Sequence, residues 1–281
     1  SCNIIYDIDF DSNCNTWFAS PDGAIRQTDS NWTTFNSSNS GLVGNRIIAM
    51  EPDQHGGIWF STEVSGRSGG VTYYNGNSSW VTFTDTTGLI SNHINYIEID
   101  GMGNVWFGSN DYNNPGITRF NGNNWTSHSM IDTIPIYNII VMETDLEHNL
   151  WLVLQNHIGV FKFDGTNWEH YTTQNSGLVS NHIKDIFTDN YNNIWFSSFD
   201  GMTKYNGTDW QQYTSNNGLP FFYYKDIVAD NNLDVYITTE YNGILKVVLN
   251  SAVELSAEFN SNSVSSDDIR LEFYSTYYKD S

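Results

Sequence analysis

The chain is short of positive charge. Its 281 residues hold 11 Lys and Arg against 32 Asp and Glu, a net charge of −21. A surface this acidic repels phosphate backbones, so nucleic acid is not expected as a partner, and it disfavours docking on anionic lipid. Charged residues are scarce in all, 15% of the chain. Asn, Ser and Thr fill the polar positions, which suits an extracytoplasmic place, periplasmic or at the cell surface. Cysteine is nearly absent, with only Cys2 and Cys14. Cys2 stands at the far end of the strand that runs into the turn of Cys14. A disulfide needs Cα atoms within about 7 Å, so none is expected between them. Two cysteines at this spacing make no metal motif. No run of about 18 apolar residues occurs, so nothing reads as a membrane-spanning helix. A Gly-rich phosphate loop, a catalytic Ser motif and HExxH are also missing. No cofactor, metal or catalytic residue is therefore expected. Cys2 after Ser1 would suit a lipid anchor. Yet Ser1–Ile5 holds the place in the repeat that Val43–Ile47 holds later, so these residues read as repeat rather than tether.

What is present is a repeat. Asp189 opens the stretch DNYNNIWFS, and near-copies open at Asp11, Asp53, Asp100, Asp145 and Asp230. An aromatic follows six residues later each time: Trp17, Trp59, Trp106, Trp151, Trp195 and Tyr236. The Asp-to-Asp steps are 42, 47, 45, 44 and 41. A period of this length with strand-like content signals a repeat architecture.

One unit reads from Asn181 to Asn216. Strand one is Ile183–Asp189, strand two Ile194–Ser198, strand three Met202–Tyr205 and strand four Trp210–Thr214. Asn206-Gly207 between the last two reads as a two-residue type I′ turn. Asn-Gly or Asp-Gly recurs at Asn75, Asn121 and Asp164, each followed by a second Trp: Trp80, Trp125 and Trp168. Trp32 takes that place in the first unit. Gly-Leu-x-x-Asn closes units at Gly41, Gly88 and Gly177. All ten tryptophans fall on the two repeat positions, so none is left over for a dedicated site. Strand one reads as almost wholly apolar, packed on both faces.

Four short antiparallel strands per unit, repeated about six times, describe an all-β fold, a β-propeller. Six blades are expected, starting near residues 3, 45, 92, 137, 181 and 222, with seven as the alternative. Residues 1–259 form the propeller, with Ala252–Phe259 as the last strand four. Residues 260–281 are an extension, with extra strands or the start of a further domain. The tryptophans read as plates between blades.

The units DxxGNxWFG, GxTxYNGxxW and GLxSNxI resemble the two-component regulator propeller repeat. That family is best known from periplasmic sensor halves of hybrid histidine kinases in Bacteroidota. The resemblance runs from about Asn3 to Leu249 and is fullest in repeats three and five. It implies an exported propeller that binds something. No kinase, second propeller or tyrosine-rich linking domain is visible in the sequence. A more distant likeness is to streptogramin lyase, but no clear set of His and Glu on adjacent loops is seen. His93 and His182 share one repeat position, which argues for structure.

The Asp turns lack the alternating carboxylates of a calcium loop, so each Asp reads as an acceptor for its own turn. The Asp turns and Asn-Gly turns share one face. The longer loops share the other, and function concentrates in loops that vary. The largest are Thr62–Gly70 and Asn110–Gly116, and the Gly-Leu loop is replaced at Ser127–Tyr137. The candidate ligand-binding residues there are Glu63, Arg67, Asp111, Tyr112, Asn156, His157, Phe199, Asp200, Phe221, Glu240 and Tyr241. Aromatics beside carboxylates and amides suit a glycan or a peptide, and a few convergent polar groups suffice for specificity. The function expected is a non-catalytic sensor-like module or accessory subunit. It would bind a glycan, peptide or protein partner through this face, within a larger surface complex. The alternatives are a lyase or hydrolase of the propeller class and a structural scaffold in an outer-membrane assembly.

Overall fold

Each repeat starts from its Asp. Asp189 Oδ1 accepts the backbone N–H of Tyr191 and of Asn193, both at 2.9 Å. Asn192 takes a positive φ of 62° to complete the turn, as Asn tolerates better than most residues. The Asn193 side chain donates to both carboxylate oxygens, and Trp195 Nε1 donates to Oδ2 at 3.0 Å. Asp189 is 2% exposed, so this full set of donors is what makes its burial affordable. Asp11, Asp100 and Asp145 hold the same partners in their own turns.

This is a computed structural model. It describes residues 4–29, 31–64, 67–217, 219–220, 223–230, 234–240, 243–247 and 271–274, of which 67, 68, 217 and 271–274 by backbone alone. The described strands form six four-stranded antiparallel sheets, each in simple chain order. Sheet one holds β1 Asp7–Phe10, β2 Thr16–Ser20, β3 Gly23–Thr28 and β4 Asn31–Phe35. Sheet two holds β5 Arg46–Pro52, β6 Ile58–Val64, β7 Arg67–Tyr74 and β8 Trp80–Phe83. Sheet three holds β9 Ile94–Ile99, β10 Val105–Ser109, β11 Gly116–Phe120 and β12 Trp125–His128. A small hairpin follows, β13 Met130–Ile131 with β14 Ile134–Pro135. Sheet four holds β15 Ile139–Thr144, β16 Leu150–Leu154, β17 Val160–Phe163 and β18 Trp168–Tyr171. Sheet five holds β19 Ile183–Thr188, β20 Ile194–Ser198, β21 Gly201–Tyr205 and β22 Trp210–Tyr213. Sheet six holds β23 Tyr224–Ala229, β24 Val235–Thr239, β25 Gly243–Val247 and β26 Leu271–Tyr274. The chain forms two compact units, residues 1–142 and 143–281.

Within each unit the core lies between successive sheets. Trp17, Ala19 and Leu42 pack with Ile47, Phe60 and Tyr74 of sheet two. Trp59 and Val71 pack with Ile97, Val105 and Phe107 of sheet three. Trp195 and Met202 pack with Tyr224, Ile237 and Leu245 of sheet six. The first-position tryptophans Trp17, Trp59, Trp106, Trp151 and Trp195 are at most 5% exposed. Burying one such side chain contributes roughly 2–3 kcal/mol.

The second tryptophans are less buried, though Trp80, Trp125 and Trp210 pack against Phe35, Phe83 and Tyr171 of the preceding sheet, as plates should, whereas Trp32 departs from that expectation. Trp80, Trp125, Trp168 and Trp210 are half-buried on strand four, and Trp32 is 62% exposed. Three of them explain the Gly of Gly-Leu-x-x-Asn. A Cβ at Gly41, Gly88 or Gly177 would stand 2.1–2.3 Å from Trp80, Trp125 or Trp210. The glycine is there because an indole of the next sheet lies on its backbone.

Four other expectations are corrected. The Asn-Gly turns are not two-residue type I′ turns. Gly207 has φ 95°, but Asn206 is not in the positive region. Asn206 Oδ1 instead accepts the N–H of Thr208 and Asp209 across a four-residue loop. Strand one is not wholly apolar. Asp7 Oδ2 accepts the Met50 N–H, Glu143 Oε1 that of Thr188 and Asp185 Oδ2 that of Ile227. These carboxylates tie one first strand to the next, where apolar packing alone was expected. The Thr62–Gly70 loop is largely a hairpin, because β6 and β7 extend to the pair Val64 and Arg67. Finally, the strand that pairs with β25 is Leu271–Tyr274. Ala252–Phe259, expected in that place, lies outside the described residues.

Candidate ligand-binding site

Lys184 and Lys225 hold the same repeat position, five residues before Asp189 and Asp230. Both stand on first strands, β19 and β23. The connection Phe199-Asp200 leaves β20 at the end opposite the Asp turn. It brings Phe199 under Lys184, whose Nζ lies 4.2 Å from the ring centre. That is cation–π distance. Phe199 meets Tyr223 edge-on at 5.2 Å and His182 at 4.6 Å. His182 lies against His157, with ring centres 3.4 Å apart. Lys184, Phe199, Lys225, Asp226 and Glu240 line one cleft of about 480 Å³, a volume that takes a small ligand.

The electrostatics of this cleft are unusual for the chain. Two of its few cations converge where Asp226 and Glu240 supply carboxylates. Asp226 is held in place by its own N–H on Thr238 Oγ1 and by the Thr238 hydroxyl, each at 3.1 Å. Burial pushes the His182 imidazole below its ordinary value, and Lys184 and His157 push it further, while Asp200 opposes them. Its Nε2 is enclosed without a partner. His157 holds a φ of 55°, a backbone state that non-glycine residues enter at some cost. A half-buried aromatic ring with ammonium and carboxylate groups around it can pack against a sugar or aromatic ring and hold its polar groups. Among the described residues no group of three or more His, Cys, Asp or Glu could hold a metal.

Other candidates fall elsewhere. Asn156 is exposed beside His157. Glu63 is taken by an ion pair with Arg46 at 2.5 Å, and the Arg46 guanidinium lies 5.2 Å over Tyr6. Asp111 accepts the Ser91 hydroxyl at 2.7 Å and the Asn113 N–H at 2.9 Å. These bonds, that of Ser91 first, hold its carboxyl below the usual range. Tyr112 is 82% exposed and meets Tyr137 edge-on at 6.5 Å. The side chain of Arg67, and Phe221 and Tyr241 entirely, lie outside the described residues, as does Cys2. Of the expected residues, Phe199 and Glu240 therefore share the cleft. His157 joins them through His182, and Asp200 acts on that ring. Lys184, Lys225, Asp226, His182 and Tyr223 were not expected there. The shared repeat position of His93 and His182 argues for structure, and the lysines are not singled out by a first strand that reads as almost wholly apolar. One sequence signal was available: two lysines at one register in successive repeats of a chain poor in cations.

With this geometry in hand, comparison places the fold. The model of the two component regulator propeller matches residues 41–64 and 177–200, one stretch in each compact unit. The extracellular domain of BT3049 from B. thetaiotaomicron, described as a hybrid two component system, is similar with a TM-score of 0.67 and 17% identity. It covers 94% of this chain, which spans 38% of that domain. Similar too is a catalytically inactive virginiamycin B lyase from Staphylococcus aureus, solved with quinupristin. It has a TM-score of 0.63 and 15% identity, covering 88% of this chain and 81% of the lyase. PorZ, a surface component of the type-IX secretion system of Porphyromonas gingivalis, has a TM-score of 0.66 and 16% identity, covering 87% of this chain and 40% of PorZ. No curated protein matches the chain. At these identities the likeness shows the fold alone. The chain is all-β, of the β-propeller class, and carries two-component regulator propeller repeats. Among the described residues no helix is long and apolar enough to cross a membrane.

Proposed function

We propose that the protein is a non-catalytic, extracytoplasmic propeller module that binds a glycan, peptide or protein partner through its longer-loop face. It would serve as a sensor-like domain or an accessory subunit of a surface complex. Its six sheets are taken as six blades, starting near residues 3, 45, 92, 137, 181 and 222. The observation that carries the reading is the cleft of Lys184, Phe199, Lys225, Asp226 and Glu240. An aromatic ring flanked by both charges suits binding and orienting a ligand. The neighbours BT3049, an extracellular domain, and PorZ, a surface component, support the location.

Glycan and peptide arrays test this. The native chain is expected to retain one ligand class. Phe199→Ala and the double variant Lys184→Ala/Lys225→Ala should each weaken it by about tenfold or more, the scale of one desolvated cation–π contact. Unchanged binding in both variants, or no retained ligand, would sink the reading.

A lyase or hydrolase is the second reading. It is favoured by the paired rings of His157 and His182 beside the cleft and by the likeness to virginiamycin B lyase. Turnover of any trial substrate that is lost in His182→Ala would replace the first reading with this one.

A further inference from the structure

The repeats place a cation beside the buried aromatic, with one exception. Arg26 stands opposite Trp17 in register, Arg119 opposite Trp106, Lys162 opposite Trp151, Lys204 opposite Trp195 and Lys246 opposite Tyr236. Each of these cations lies 5.2–5.6 Å from the centre of its partner ring. In sheet two the residue opposite Trp59 is Tyr73.

A second change accompanies it. The Asn that donates to Asp11, Asp100, Asp145 and Asp189 is Gly57 in the turn of Asp53. Asp53 Oδ2 accepts from Tyr73 Oη at 2.7 Å, where the turns of Asp11, Asp100, Asp145 and Asp189 supply both an Asn amide and a Trp indole; the turn of Asp230 has Asp234 and Tyr236 at those positions. The two changes require one another. A Cβ on Gly57 would stand 2.2 Å from Tyr73 Oη.

Between the turns of Asp53 and Asp100 lies a cavity of about 390 Å³. Trp59, Tyr73, Phe83 and Phe120 form its aromatic wall, Val81 and Met102 stand at its rim, and Asp53 supplies a carboxylate. All lie in the first compact unit. Aromatic faces with a nearby carboxylate are the chemistry that holds alkylated ammonium groups. The other repeats hold a cation of their own against the matching ring.

We propose that this cavity is a binding site for a small organic cation of the alkylammonium class, held against the aromatic wall in the one sheet where Tyr73 stands in the place of the Arg or Lys of the other repeats. Its volume is in the range of small-molecule sites. The net charge of −21 favours the approach of a cation.

The test is a titration of the intact chain with tetramethylammonium chloride, followed at the Trp59 indole resonance. Sodium chloride matches the ionic strength, and neopentyl alcohol serves as a neutral probe of similar size. The expected result is a saturable shift with the cation and binding about tenfold weaker for the alcohol. The variant Gly57→Asn/Tyr73→Arg restores the pattern of the other repeats and fills the cavity from within. Val81→Lys leaves the core intact and sets an ammonium at the rim. Each should weaken the cation by about tenfold or more while the melting curve stays native-like. Should the filled variant fail to fold, Val81→Lys alone decides. Equal binding of alcohol and cation, no saturable shift, or undiminished binding in a folded variant would overturn the proposal.

Discussion

A buried carboxylate is costly unless each oxygen has a donor. The repeat meets this condition within nine residues: two backbone N–H groups, an Asn amide and a Trp indole converge on one Asp. Truncating Asp189 to Ala would leave the Asn193 amide and the Trp195 indole without it. The expected loss is about 3 kcal/mol, since each orphaned buried donor costs about 1–3 kcal/mol. Asp53→Ala should cost less, because Gly57 offers no side-chain amide there and Asp53 is only part-buried. Urea unfolding of the two variants against the native chain checks the order, and equal losses would contradict it. The turn itself was legible in the sequence because Asp and its acceptor role are local. The bond from Trp195, six residues on, and the cation opposite it depend on strand register. They were therefore read only as packing.

Strand limits were legible to within a residue or two, as Ile194–Ser198 and Trp210–Tyr213 illustrate, because apolar runs between turn residues mark them. The role of the first strands was not. Their carboxylates went unread in strands taken as almost wholly apolar, yet they bond the backbone of the next first strand. Burial pushes Glu143 up to about 8 from 4.5, and Asp185 up to about 7 from 3.8. The folded chain thus holds these protons more tightly than the unfolded one. Their contribution to stability is full below the unfolded values and is lost as pH rises through about 7 to 8. Melting temperature should therefore fall from about pH 5 to about pH 9, and Glu143→Gln should flatten that fall. In the variant, stability relative to the native chain rises with pH. Parallel melting curves for native and variant across the range would refute the assignment. The Asn-Gly turns were misread for a related reason. A dipeptide does not report loop length, and Asn206 is occupied in capping two N–H groups rather than in taking a positive φ.

For the whole molecule, charge and repetition set the terms. A chain with a net charge of −21 repels itself when folded, and salt screens that repulsion. Raising NaCl from about 10 mM to about 300 mM should therefore raise the melting temperature. A fall in the same scan would point to ion pairs such as Arg46 with Glu63 and Lys246 with Asp234 outweighing the repulsion. The sequence by itself determined the class of fold, the period of the repeat and the identity of the buried aromatics. Each is set by local turn chemistry and by alternation along a strand, which repeat six times and reinforce one another. Only the tertiary structure decided which side chains meet. Lys184 lies over Phe199, and Lys225 lines the same cleft, because their first strands lie side by side. Gly57 and Tyr73, sixteen positions apart in sequence, share the carboxylate of Asp53, and Tyr73 lines the cavity beside it. A repeat fixes where its residues recur, whereas contacts between successive sheets decide which departures from it create a site.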